Sequence, residues 1–189
     1  MNKIQYTYDF HSYKSMMKKM RTSSPAVTRE EDTLCPIARA QNIVGDRWTV
    51  LVLRELFLGN RRFEEIQAQS QATPQMLASR LKKLEAEGLI ERRPYSERPP
   101  RYEYHLTEVG VAFHPVFLAF RAWGETWLKS EQEEVAIEYT HLPCGKDPGL
   151  GPTCQVCGEV MRREELSARL SDSFDAERRA RLDAFKNGR

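Results

Sequence analysis

The chain has 189 residues, 40% of them hydrophobic, and a formal net charge of +2, which suits one ordinary core with appendages and demands no anionic partner at whole-chain level. No apolar run approaches the roughly 20 residues of a membrane span; the longest, Trp48 to Leu53, is a core segment. The N-terminus carries Lys3 but no apolar stretch and no small-residue cleavage site, so no membrane partner is expected, a cytoplasmic location is, and the four cysteines should be reduced, metal-bound or redox-active rather than in structural disulfides.

Residues 1–30 are polar and basic (Lys14, Lys18, Lys19, Arg21) and end in Ser23-Ser24-Pro25, which predicts a flexible basic arm. A short helix is expected over Pro36–Val44, with Cys35 at or next to its N-cap. Gly45 breaks it, and Asp46 can cap a second helix, Arg47–Leu58, which is apolar nearly all round and should be the central buried one. Phe63–Gln69 forms a third, and Ser70-Gln71-Ala72-Thr73 is the turn into a fourth. There Thr73 is a good N-cap, Pro74 suits the first helical position, and Gly88 can close the helix in a left-handed conformation. Leu77, Leu81 and Leu84 bury one face, so Gln75, Ser79, Lys82 and Ala86 point the opposite way, with Met76 and Lys83 beside them. Leu89–Arg93 and Arg101–Leu106 then read as two strands around a turn containing Pro99-Pro100.

Helix, helix, turn, helix and hairpin in that order make a winged helix-turn-helix. The expected fold class is therefore mainly α with a small β-hairpin wing over 31–106, followed by a dimerisation helix over 107–130 and a small Cys/His-rich C-terminal extension over 131–189. Between Arg61 and Arg101 there are nine Lys/Arg against six Asp/Glu, the local excess that phosphate binding needs. Gln75, Met76 and Ser79, close behind the Thr73 cap, are the candidates for direct base reading: glutamine can pair bidentately with adenine, and methionine can meet a thymine methyl. Arg80, Lys82 and Lys83 suit phosphates, and Arg92, Arg93, Arg98 and Arg101 suit backbone or minor-groove contact from the wing.

Thr107 should cap a long helix, Glu108 to about Lys129, bent near its middle by Pro115. Along it Val109, Phe113, Val116, Phe120, Trp123 and Trp127 repeat with a heptad spacing, and so aromatic a seam on a chain already supplied with a core is read as a homodimer interface. His114, beside the seam, is read as a satisfied interfacial histidine. Glu131–Thr140 is a strand or extended linker, and Leu166, Leu170 and Phe174 offer one narrow apolar stripe for a terminal helix.

Two cysteine questions arise. A thiol at a helix N-terminus feels the positive end of the helix dipole, so Cys35 is a candidate redox sensor, although a structural role as a small hydrophobe is the preferred reading. His141-x2-Cys144 and Cys154-x2-Cys157, each followed closely by a glycine, have the paired spacing of a tetrahedral zinc site, structural because four protein ligands leave no open position. A redox-active Cys154/Cys157 dithiol and a loop without metal remain alternatives.

Leu34-Cys35-Pro36-Ile37-Ala38-Arg39-Ala40, Ile43 to Thr49, Arg54-Glu55-Leu56, Arg61-Arg62-Phe63, the Pro74-to-Glu91 segment, Pro99 to Tyr104 and Leu106-Thr107-Glu108-Val109-Gly110 together resemble HxlR-type winged helix-turn-helix regulators of the MarR-like superfamily. The resemblance covers about residues 34–128. It implies a homodimeric, sequence-specific regulator of transcription on double-stranded DNA, usually a repressor, answering an oxidant, an electrophile or a small-molecule inducer. It also matches Cys35 to the sensing position of redox-responsive members. A protein-interaction module built on the Cys/His unit is the main alternative; a thiol- or zinc-dependent enzyme is disfavoured, since no nucleophile triad, phosphate-cradling Gly loop or open His cluster is present.

Overall fold

The computed structural model describes residues 33–188; the basic arm expected over 1–30 lies outside the described residues. Seven α-helices and two two-stranded antiparallel sheets follow in this region, with one 3-10 turn at Arg163–Glu165: α1 (Pro36–Val44), α2 (Thr49–Phe57), α3 (Phe63–Ser70), α4 (Pro74–Ala86), β1 (Ile90–Glu97), β2 (Pro100–Leu106), α5 (Glu108–Val111), α6 (His114–Trp127), β3 (Ile137–His141), β4 (Leu166–Leu170) and α7 (Asp172–Asn187). This is a winged helix-turn-helix with a C-terminal extension folded back on it.

The central helix is α2. Its Val52, Leu53, Leu56 and Phe57 lie in one buried cluster with Ile66 of α3, Leu77, Leu81 and Leu84 of α4, Leu89 and Ile90 at the base of the wing, and Phe117 and Leu118 of α6. Asp46 does cap it: Oδ1 accepts from Trp48 N at 2.9 Å and from Thr49 N at 3.1 Å. Because the cap spans residues 46–48, the regular helix begins at Thr49 rather than at Arg47. Thr73 Oγ1 accepts from Met76 N at 3.3 Å at the start of α4, and Gly88 beyond its end has φ +71°, as the local chemistry requires.

The wing is longer than the two short strands expected. β1 pairs with β2 from Ile90↔Leu106 to Glu97↔Pro100, with an irregularity between Pro94 and Ser96. At its base Thr107 N donates to Leu89 O at 3.0 Å, and Thr107 Oγ1 donates to Gly88 O at 2.6 Å. A side chain at Gly110 would come within 2.1 Å of Leu89 O, so only glycine lets α5 seat this closely.

The single long helix expected over Glu108–Lys129 is two helices. Pro115 lacks an N–H and its ring clashes with the carbonyl four residues back, so it occupies the first turn of a new helix, α6, instead of bending an old one. Consequently Val109 and Phe113 pack on the core, while the seam residues from Val116 onward stay outside. The apolar stripe Leu166/Leu170/Phe174 is also divided. Leu166 and Leu170 end β4, which pairs with β3 (Ile137↔Leu170, His141↔Leu166), and α7 begins only after Ser171, whose Oγ accepts from Phe174 N at 3.3 Å. A spacing of four residues places side chains on one face of a strand as well as of a helix, so that stripe could not discriminate.

The extension is fastened to α2 by a buried ion pair. Glu55, wholly inaccessible, receives both arms of Arg178 from α7, Nη1 to Oε1 at 2.9 Å and Nη2 to Oε2 at 2.6 Å, together with Asn60 Nδ2 at 2.7 Å and Arg54 Nε at 2.7 Å. Burial by itself would raise the Glu55 pKa, but the hydrogen bonds from Arg178 and the charge of Arg54 prevail and hold the carboxyl below its ordinary range.

His114 is not an interfacial histidine. It lies buried at the start of α6, its ring centroid 4.9 Å from that of Phe57 and 6.0 Å from that of Phe117, and neither ring nitrogen has a partner among the described residues. Burial and the neighbouring Arg163 charge push its pKa down to about 4. The folded state therefore disfavours the imidazolium. Stability is fully present above the ordinary histidine pKa near 6.5 and is lost as pH falls toward 4, by about 2 kcal/mol between pH 7 and pH 5. Urea unfolding at those two pH values should show this loss in the wild type and a smaller one in His114→Leu.

Candidate functional site

α4 is amphipathic in the sense the sequence requires. Leu77, Leu81 and Leu84 are buried, and Gln75, Ala78, Ser79, Lys82 and Ala86 form a continuous exposed face behind the exposed Thr73. Met76 sits beside that face, half-buried against the core. Arg80 and Lys83 are occupied within the chain. Arg80 Nε lies 3.0 Å from Asp46 Oδ1, and Lys83 Nζ donates to the Asn42 carbonyl of α1. These two cations brace α4 against α1 and the α1–α2 turn. Lys82 has no ion pair among the described residues.

The wing carries all four of its expected arginines exposed. Arg92 bonds Glu85 of α4 at 2.9 Å and lies 5.2 Å above the Tyr102 ring. Arg93 pairs with Glu91 at 2.5 Å. Arg98 and Arg101, at the tip, have no ion pair among the described residues. Sequence reasoning missed Arg62, which precedes α3, bonds Glu103 at 3.3 Å and stacks 4.7 Å from the Tyr95 ring.

A second cluster lies in the extension. The ligand atoms of His141, Cys144, Cys154 and Cys157 all fall within 4.8 Å of one another. His141 Nδ1 is 3.4 Å from both Cys144 Sγ and Cys157 Sγ, and Cys144 Sγ is 3.8 Å from Cys154 Sγ. Tetrahedral zinc, with bonds near 2.3 Å to sulfur and 2.0–2.1 Å to nitrogen, sets sulfur–sulfur edges of about 3.8 Å and sulfur–nitrogen edges of about 3.6 Å. These three edges are close to those of a tetrahedral ion, and the four residues together could hold one. The remaining nitrogen of the buried His141, Nε2, makes no hydrogen bond among the described residues, and Glu165 Oε2 lies 4.0 Å from it.

Of the expected seam, Val116, Phe120, Trp123 and Trp127 are 41%, 56%, 57% and 72% exposed, and Leu128 continues the patch. Four large apolar side chains on one helix, uncovered within the chain, are more than scattered surface hydrophobes. No residue of α1 is buried, and Leu34 and Ile37 are among the most exposed apolar side chains described. Cys35 is an exposed thiol at the N-cap of α1, outside the four-ligand cluster. Among the described residues, no helix is long and apolar enough to cross a membrane.

Residues 43–132 match the model of the HxlR-like helix-turn-helix family. The chain is similar to the uncharacterised HTH-type transcriptional regulator Rv3095 of Mycobacterium tuberculosis (37% identity over 142 residues, 74% of this chain and 88% of that protein). It is also similar to the uncharacterised HTH-type transcriptional regulator sll1512 of Synechocystis sp. (38% identity over 109 residues, 57% of this chain and 81% of that protein). Among solved structures, PA1607 aligns with a TM-score of 0.58 at 29% identity, covering 77% of this chain and 99% of that one.

Two consequences concern the scaffold. Arg80→Met removes the brace on Asp46 without touching the exposed face of α4 and should cost about 1 kcal/mol in urea unfolding. Asp46→Ala removes the α2 cap as well and should cost more, about 1–2 kcal/mol beyond the brace.

Proposed function

The chain belongs to the HxlR-like helix-turn-helix family of transcription regulators, and on that premise we propose that it binds double-stranded DNA as a homodimer and represses the promoters it occupies. The observation that carries the reading is the exposed face of α4. It is slim, polar and capped by Thr73, so it suits a major groove, and the arginine-bearing wing stands beside it where the phosphate backbone would run. Within that frame Gln75 and Ser79 read base edges and Lys82 neutralises phosphate. Arg98 and Arg101, free at the wing tip, contact the flanking backbone or minor groove. Met76, Arg80, Lys83, Arg92 and Arg93 serve mainly to hold these elements in place, since each is engaged with the protein itself.

The dimer forms on the Val116/Phe120/Trp123/Trp127 stripe, and its two-fold axis would present two α4 helices to two half-sites. Residues 31–106 then constitute the reading unit, 107–130 the dimerisation segment and 131–189 the extension. The His141/Cys144/Cys154/Cys157 cluster holds a structural zinc ion: the donor set is zinc's, and four protein ligands leave no position for the water that a hydrolytic centre needs. That closed set favours a regulator over a zinc enzyme. The grip of Arg178 on Glu55 likewise favours an extension that serves the reading unit over one that recruits a separate partner. Cys35, exposed at a helix N-terminus, is the thiol through which an oxidant or electrophile would act.

Binding of promoter fragments over a range of salt concentrations tests the DNA assignment. Gln75→Ala should relax sequence preference at one base position by about 1–3 kcal/mol. Lys82→Ala should weaken every sequence and reduce the slope of log affinity against log salt by about 0.9. Unchanged slopes and preferences in both variants would remove α4 as the reading element. Sedimentation tests the dimer: Trp123→Glu should give a monomer with weakened operator binding, and a dimer persisting in Trp123→Glu and Phe120→Glu would place the interface elsewhere.

A further inference from the structure

The four-ligand cluster stands between the dimerisation helix and the DNA-reading helices, and it is tied to both. On one side Arg121 of α6 donates to Ile137 O of β3 and to Gly149 O and Leu150 O in the loop between the ligand pairs, the latter two at 3.4 Å, while stacking 4.9 Å from Tyr139. On the other side Arg163, between the second ligand pair and β4, donates Nη2 to Phe57 O at the end of α2 at 2.7 Å. β4 then runs through Ser171 into α7, where Arg178 closes on Glu55, Arg178 O accepts from Gln69 Nε2 of α3 at 2.9 Å, and Arg181 Nη1 donates to Gln69 O at 3.4 Å. Gln69 is two residues before the turn that launches α4. An uninterrupted chain of contacts therefore leads from the ligand cluster to the base of the recognition helix.

The segment that carries the ligands is held by scattered backbone hydrogen bonds, among them Cys154 N to Glu159 O at 2.8 Å and Met161 N to Pro152 O at 2.9 Å, and has little apolar burial to add to them. Between residues 142 and 165 only Pro148, Cys154 and Met161 are buried, too small an apolar core to fold a loop of this length by burial alone. His141, itself a ligand, is also the last residue of β3 and pairs with Leu166, the first of β4. The ion would thus clamp the end of the ribbon from which α7 hangs.

We infer that metal occupancy of the His141/Cys144/Cys154/Cys157 centre governs DNA binding, because the metal-ordered ribbon holds α7 against α2 and α3. The inference rests on both the DNA-binding and the metal readings above. With a thiophilic divalent cation bound, Arg178 stays seated and Glu55 is neutralised inside the core. Without it the ribbon loosens at His141, Arg178 withdraws, and the Glu55 carboxylate is left buried with Arg54 and Asn60 as its remaining partners. A buried charge that loses its main partner is strongly destabilising, and the helix that bears it is the one on which α4 packs. The relief is a shift of α2, α3 and α4 away from their DNA-reading arrangement.

The test uses the full chain, loaded with zinc or stripped with a chelator, on a DNA fragment selected by the zinc-loaded protein. Cobalt titration should give one equivalent with the intense thiolate-to-metal absorption of a tetrahedral site. Stripping should lower DNA affinity roughly tenfold, within the usual range for coupled sites, with helical circular dichroism largely retained, and zinc should restore it. Arg178→Met should bind cobalt like the wild type yet show the low affinity with metal present and no further response to the chelator. Should that variant not fold, Cys154→Ser, a change outside the winged unit, must reproduce the stripped affinity in the presence of zinc. Cobalt bound in the expected manner with DNA affinity indifferent to stripping overturns the inference. Absence of the thiolate–cobalt band overturns the metal reading and the inference with it, and failure of the zinc-loaded protein to select any fragment overturns the DNA reading.

Discussion

The ion pair between Glu55 and Arg178 sets the organisation of this molecule. A carboxylate without solvent access in the central helix would be prohibitively costly alone. Here it is satisfied by four donors drawn from three places: its neighbour Arg54, Asn60 beyond the helix end, and both arms of Arg178 from a helix 123 residues further along. The winged unit consequently does not end where its hairpin ends. The charge inside it is completed by α7, and everything between, from α6 to the ligand-bearing loop, is a connection whose geometry the ion pair constrains.

The same economy governs the charges around the recognition helix. Of seven Lys/Arg side chains on α4 and the wing, four are engaged with acidic groups or a carbonyl of the protein: Arg80 with Asp46, Lys83 with Asn42, Arg92 with Glu85 and Arg93 with Glu91. Surface pairs of this kind contribute little to stability, but Arg80 and Lys83 set α4 against α1 and its following turn, and Arg92 sets β1 against α4. The remaining Lys82, Arg98 and Arg101 are exposed and have no ion pair among the described residues. A modest net charge of +2 is thus compatible with the DNA binding proposed above, since it needs only a few exposed cations without an ion pair among the described residues.

Much of the winged unit was legible in the sequence because local signals and tertiary structure agree there. Asp46, Thr73, Pro74 and Gly88 specify helix ends by chemistry that acts within a few residues. The leucines of α4 specify its inner face by period, and the HxxC and CxxC spacings specify a convergent ligand set. What was not legible depended on partners distant in sequence. Nothing local indicated that Glu55, one of two adjacent charges in an otherwise largely apolar helix, would be met by Arg178, although a charged residue at a central position was itself the clue. The Leu166/Leu170 spacing suited a strand as well as a helix until its pairing with β3 was known. Pro115 was weighed as a bend when it initiates a helix, so the continuity of the aromatic seam was overestimated at its Val109 end. His114 was assigned to the seam because its neighbours are, whereas the helix start turns it inward.

The decisive measurement is selection from pooled genomic DNA fragments by the purified 189-residue chain, followed by the size and salt dependence of the retained complexes. The account predicts a small set of fragments held by a protein dimer, each with two related half-sites one helical turn or a multiple of it apart, and released steeply as salt rises. Retention of fragments without any shared sequence, or no retention at low salt, would contradict it.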